Sequence, residues 1–157
     1  MDRDDFARRV TEMRHSLYRV AASYLRADAD RLDAVSEAIA RAWEKRGMLR
    51  DEALFSTWLT RILIRECINI QRRQRRAVPV ETLPEQPGEA DGDLPLLLRG
   101  AIGALPQRQR TMVVLHYMEG MDVRGIARVM GTTCGAVCAG LSRAREGLRR
   151  AIEEEWQ

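Results

Sequence analysis

The stretch Asp122–Arg150, DVRGIARVMGTTCGAVCAGLSRAREGLRR, constrains this 157-residue chain more than any other. It predicts two helices joined by a tight turn. Asp122 can accept a bond from a free amide of the first turn. Ile126, Val129 and Met130 give a short helix its apolar stripe, and Gly131 supplies the backbone conformation that ends it. Thr132 or Thr133 caps the second helix, whose buried face is Val137, Leu141, Ala144 and Leu148. Ala127, Gly131 and Val137 occupy the small, turn and packed positions of a helix-turn-helix. That motif lays its second helix in the major groove of DNA. An ordinary hairpin in a helical bundle fits the stretch equally well, so it does not fix a function alone.

The rest of the chain is also helical in pattern. Phe6, Val10, Met13, Leu17, Val20, Ala21 and Tyr24 predict one helix over Asp2–Leu25. Asp28 or Asp30 can cap a second, lined by Leu32, Val35, Ala38, Ile39, Ala42 and Trp43 and closed by Gly47. A loop over Met48–Glu52 leads to a third helix from about Glu52 to Arg76. In that helix Phe55, Trp58, Leu59, Ile62, Leu63, Cys67 and Ile70 are spaced for burial, with Glu66 the polar exception. Residues 77–93 hold Pro79, Pro84, Pro87, Gly88 and Gly92 among acids and have no period, which reads as a flexible acidic linker. Leu94–Leu105 predicts a short helix. Another starts near Pro106, carries Met112, Val113, Leu115, His116 and Met118, and ends at Gly120. The expected fold is all-α. Two small helical domains, 1–76 and 94–157, flank the linker, and the second is a four-helix domain with a helix-turn-helix.

Charge is distributed in blocks. Residues 1–76 carry 17 basic and 12 acidic side chains, residues 77–100 one against five, and residues 101–157 eight against six. Two basic blocks around an acidic strip fit a polyanionic partner, or a solvated surface. Arginine accounts for 25 of the 26 basic residues, with Lys45 the exception; arginine suits bidentate phosphate contacts, although a GC-rich genome explains most of such a bias. Three cysteines without framework spacing fit a reducing cytosol. The charged N-terminus and the lack of a long apolar run predict a cytoplasmic protein without membrane insertion. No phosphate loop, nucleophile–base pair or set of paired catalytic carboxylates stands out, so neither catalysis nor a cofactor is expected. Cys134 and Cys138, one helical turn apart, could share a soft metal. Two thiols are too few for a closed zinc site, and no metal site is expected.

Several segments then fall into one order. FSTWLTRILIRECINIQRRQRR (55–76) resembles the second-domain helix of the extracytoplasmic-function (group IV) sigma factors of bacterial RNA polymerase. DRLDAVSEAIARAW (30–43) is similar to the helix before it. LPQRQRTMVVLHYMEGMDVRGIARVMG (105–131) and LSRAREGLRR (141–150) resemble the start and end of the family's fourth domain. The resemblance covers nearly the whole chain, with the linker in place. It implies a factor that binds core RNA polymerase and promoter DNA, capturing the −10 element with the first domain and reading the −35 element with the second. It also implies an anti-sigma factor as a partner.

The resemblance assigns roles residue by residue. Asp33, Ser36, Glu37 and Arg41 would dock on the polymerase clamp; many relatives have Gln where Ser36 stands. The alternative is a charge ladder that merely supports a surface helix. Arg50, Asp51 and Glu52 would contact a flipped −10 base, or simply form an interhelical loop. Arg61, Arg65, Arg72, Arg73, Arg75 and Arg76 would meet the DNA backbone; the alternative for the last four is complementation of the dipole at a helix C-terminus. Trp58 belongs to the core rather than to a stacking platform. On the second domain, Thr133, Gly135, Ala136, Cys138, Ala139, Gly140, Arg143 and Arg145 would face the −35 element. Relatives commonly read G-T-V-[KR]-S-R-L where this chain has Gly135–Leu141, so cations and a hydroxyl give way to Cys138, Ala139 and Gly140. A second hypothesis follows: a sigma-derived interaction module that binds polymerase or an anti-sigma factor and reads −35 DNA weakly.

Overall fold

A computed structural model of the chain describes residues 1–77 and 95–156. The chain divides into two compact units, Met1–Gln86 and Pro87–Gln157. Apart from Ala77, the expected linker lies outside the described residues. All regular structure among the described residues is helical.

The first unit holds α1 (Arg3–Glu12), α2 (Arg14–Ala22), α3 (Asp28–Glu44) and α4 (Phe55–Arg76). The single helix expected over Asp2–Leu25 is two. At Met13 the amide is shared between the carbonyls of Arg9 and Val10, 3.2 and 3.1 Å away. This local tightening leaves the apolar spacing intact, so a periodicity argument passes over it. Neither Asp28 nor Asp30 caps α3, because the cap is Ala27. Asp28 instead accepts the Tyr18 hydroxyl, and Asp30 accepts the Gln74 amide at 2.7 Å.

The face that α3 buries keeps Ala38 and Ala42 of the expected one but takes in Ala34 in place of Leu32. Leu32 is 52% exposed, whereas Ala34, Ala38 and Ala42 have no exposure. These alanines, with the buried Arg31, form a stripe at three- and four-residue spacing, and α3 packs chiefly on α4. Small side chains on a contact stripe set a short interaxial distance. The opposing helix supplies the bulk: Leu59, Leu63, Ile64 and Cys67 are all essentially buried. Arg31 is satisfied at the corner, donating from Nε to the Leu25 carbonyl at 2.7 Å. Glycine does not close α3 directly, since a 3-10 turn over Arg46–Met48 contains Gly47, and a second such turn over Glu52–Leu54 precedes α4.

The second unit holds α5 (Leu96–Gly103), α6 (Gln107–Val113), α7 (Val123–Met130) and α8 (Cys134–Trp156). A π-helical turn, Val114–Met118, extends α6, and Gly120 follows at φ 67°. Leu105, Val113 and Ala144 form a core cluster flanked by Ile102 and Leu148. Ile126, Val137, Leu141, Met112 and Leu115 are also buried.

Two outcomes test this packing. Replacing Ala38 by Leu should destabilise the protein in urea unfolding by about 1–3 kcal/mol, the usual cost of overpacking. Leu32→Ala on the same helix should change stability by less than about 0.5 kcal/mol. Cys67 is fully buried, and desolvation, with help from the Glu66 charge, pushes its thiol up to about 12. An alkylating reagent at pH 8 should therefore modify the exposed Cys134 and Cys138 in the native protein and reach Cys67 only after unfolding.

Candidate nucleic-acid interface

On the first unit, α3 and α4 enclose a groove of about 850 Å³. Asp33, Ser36, Glu37 and Arg41 line its α3 side; Glu66, Asn69, Arg72, Arg73 and Arg76 line its α4 side. The structure thus brings two separately predicted sets of residues to one surface. Arg41 is the most constrained of them. Its Nε lies 2.8 Å from the Glu66 carboxylate and 3.2 Å from Glu37. The Glu66 side chain is only 9% exposed, so this pair compensates a buried charge on α4. Arg41 is therefore a fixed strut, while Asp33, Ser36 and Glu37 are exposed.

The basic end of α4 has an internal logic. In QRRQRR, Gln71 donates to the Tyr24 carbonyl at 2.8 Å and Gln74 to Asp30 at 2.7 Å. The two glutamines, three apart, anchor the helix end, and all four arginines are exposed. Arg61, Arg65, Arg72 and Arg76 recur at intervals of four, seven and four, which places them on one stripe of α4. Such a stripe can follow a phosphate backbone. Arg73 lines the groove together with Arg72 and Arg76 but lies off this stripe, and Arg75 stands outside the lining.

Two of the three residues expected to touch a base in the loop before α4 are engaged locally. Asp51 accepts the Ala53 amide at 3.0 Å and so caps the short turn. The Glu52 carboxylate is 3.2 Å from Arg9 of α1. Arg50 is exposed and makes no hydrogen bond or ion pair among the described residues. Trp58 is half-buried, its ring tilted against Phe55 at 6.0 Å.

The helix-turn-helix of the second unit is built as its sequence suggests. The Gly125 amide donates to Asp122 at 2.7 Å, Gly131 adopts the left-handed conformation (φ 64°, ψ 42°), and the Ala136 amide donates to Thr133 at 3.1 Å. Between the two capping threonines the structure selects Thr133. The outward face of α8 carries Gly135, Cys138, Ala139 and Arg143, with Ala136 half-buried at its edge. Gly140 is a correction. It is buried, and a Cβ built there would come 2.3 Å from Met112 Sδ. It therefore belongs to the packing of α8 on α6 rather than to the outward surface, and a longer side chain there would have to displace Met112.

Three exposed residues on this unit were missed. Ser142 is one turn beyond Cys138 and restores a hydroxyl to the same face; its i+4 spacing was the available signal. Arg124 and Arg128 form an exposed i, i+4 pair on α7 without hydrogen bonds or ion pairs among the described residues. Helix-turn-helix proteins use the first helix to cross the DNA backbone. Arg145 is steadied by the Tyr117 hydroxyl at 3.0 Å. Arg149 and Arg150 are committed to Glu146, and Arg149 also to Glu153. The hydrogen bond from Arg149 holds the Glu146 carboxyl below the usual range. No group of three or more His, Cys, Asp or Glu suited to a metal occurs among the described residues. No helix described is long and apolar enough to cross a membrane.

Comparison with known proteins agrees with this layout. Residues 9–77 match the family model for Sigma-70 region 2, and residues 96–148 that for Sigma-70, region 4. The RNA polymerase sigma factor SigV of Bacillus subtilis (strain 168) is 29% identical over 149 residues, covering 93% of this chain and 90% of the relative. The ECF RNA polymerase sigma factor SigM of Mycobacterium tuberculosis (strain H37Rv) is 30% identical over 154 residues, covering 96% and 79%. Among solved structures, the sigma factor RpoE bound to the anti-sigma factor NepR from Bartonella quintana superposes with a TM-score of 0.81, at 24% identity and 95% and 97% coverage. CnrH, in complex with the cytosolic domain of CnrY, gives 0.73 at 22% identity, with 98% and 90% coverage. With two matched sigma-70 regions in family order and relatives aligned along most of its length, the chain belongs to the extracytoplasmic-function sigma factors, which direct core RNA polymerase to promoters.

Proposed function

We propose that the first unit captures and melts the −10 element while docking on polymerase, and that the second unit contributes a −35 contact made mostly to the DNA backbone. The observation that carries this reading is the stripe of Arg61, Arg65, Arg72 and Arg76, exposed along α4. Asp33, Ser36 and Glu37 present the polymerase-docking face, and Arg41, locked to Glu66, holds it in shape. The residues 1–76 and 94–157 act as the two domains, joined by 77–93 as a linker. The protein works in the cytoplasm, without catalysis of its own. An anti-sigma factor is a partner by similarity to the neighbour RpoE, solved in complex with the anti-sigma factor NepR.

The surface of α8 favours a modest −35 contribution. Cys138 and Ala139 stand where relatives commonly place a cation and a hydroxyl, and both are exposed. Neither can make a bidentate base contact. Arg143, Arg145, Arg124 and Arg128 remain for phosphates. This same observation supports the alternative of an interaction module with weak DNA reading.

Salt titration of holoenzyme–DNA affinity separates these terms. Arg72→Ala with Arg76→Ala should lower the slope of log affinity against log salt by about 1.8, at roughly 0.9 per lost B-DNA phosphate contact. An unchanged slope would remove α4 from the DNA. Cys138→Arg should strengthen binding of holoenzyme to duplex upstream promoter DNA without altering affinity for core polymerase. No gain would mean that α8 does not approach DNA.

A further inference from the structure

The loop between α3 and α4 is held from α1. Arg9 donates from Nη1 to the Glu52 main-chain carbonyl at 3.0 Å and from Nη2 to the Glu52 carboxylate at 3.2 Å. Its Nε is bonded to Asp5 at 3.2 Å, and its guanidinium carbon lies 5.6 Å from the centre of the Phe55 ring. All three guanidinium nitrogens are thus engaged, and the cation also lies against an aromatic ring. Phe6, on the same helix, meets Phe55 edge-on at 5.7 Å and Trp43 at 5.1 Å. The other end of the loop is fastened by Arg46, which covers Trp43 at 3.6 Å and donates to the Trp43 carbonyl at 2.7 Å. Both ends of the loop therefore rest on one aromatic cluster, and α1 supplies its centre and its clamp. Phe6 lies before the residues matched by the Sigma-70 region 2 model, which begin at residue 9.

We propose that Arg9 is a positioning residue for base selection, clamping the loop so that Met48 and Arg50 project from it in a fixed pose. This rests on the reading of that loop as the −10 selector. Glu52 is then the anchor of the loop rather than a reader of bases. Met48 is 74% exposed. A base drawn out of its stack must be met by a surface already in shape, because ordering the loop at the moment of capture would cost conformational entropy. The guanidinium suits the task because one rigid fork reaches both the main chain and the side chain of Glu52. Lysine keeps the charge but, as a point charge on a flexible stem, lacks the rigid fork that fixes both contacts in one geometry.

The test uses the complete chain assembled with core polymerase. Holoenzyme is challenged with a randomised single-stranded DNA pool, and bound molecules are sequenced to give base preference at each position. Arg9→Ala should reduce preference about ten-fold at the same one or two positions that Arg50→Ala or Met48→Ala flattens, as expected for losing a charge-assisted contact. Preference elsewhere, and affinity for core polymerase, should stay within two-fold. Glu52→Gln and Arg9→Lys should give intermediate losses at those same positions, and they carry the test if Arg9→Ala folds poorly. If Arg50→Ala flattens a position while Arg9→Ala, Arg9→Lys and Glu52→Gln do not, Arg9 does not position the loop. A uniform loss at all positions would show a purely structural role and overturn the proposal. If none of the loop variants flattens any position, the loop is not the selector, and the underlying reading fails with it.

Discussion

The close contact between α3 and α4 is the constraint on which the first unit depends. Ala34, Ala38 and Ala42 leave no side-chain bulk on the α3 face, so the helices meet against the larger residues of α4. At that separation Arg41 reaches Glu66 at 2.8 Å. Without a partner, the Glu66 carboxylate would be a buried charge, an arrangement costing several kcal/mol. The ion pair is thus a consequence of the alanine stripe, and it also fixes the groove between the exposed acids of α3 and the arginines of α4. One packing decision places both proposed partner surfaces, protein-facing and DNA-facing, on the same pair of helices.

Much of this was legible in sequence because helix signals are local. Asp122, Gly131 and Thr133 each announce a helix end by side-chain or backbone chemistry, and the structure uses each as its type suggests. What was not legible depends on a partner element. Leu32 and Ala34 are two residues apart, and which of them faces inward is decided by α4. The break at Met13 changes no apolar spacing. Gln71 and Gln74 look like further polar surface until the corner between α2 and α3 is placed against them.

The site residues divide along the same line. The exposed arginines at the end of α4 were legible because QRRQRR concentrates charge at the end of an amphipathic helix. Gly140 was misplaced because a family pattern assigns it a side chain, while in this chain Met112 occupies that space. Asp51 and Glu52 looked like base contacts because they are polar and in a loop. Their carboxylates instead serve the short turn and Arg9. A loop carboxylate close to a helix start is as useful for capping and anchoring as for recognition, and only the long-range partner decides between them.

The second unit keeps its helix-turn-helix packing while presenting small, uncharged side chains at the centre of α8. On the proposed reading, promoter choice falls mainly on the first unit, with the second adding affinity through arginines on α7 and α8. The most direct measurement of that account is transcription in vitro from fragmented genomic DNA of the source organism, using core polymerase with and without this protein, with transcript starts mapped at single-nucleotide resolution. The account predicts discrete new start sites that share a −10 sequence and show weaker or no agreement near −35. Stable binding to core polymerase with no discrete starts would contradict it.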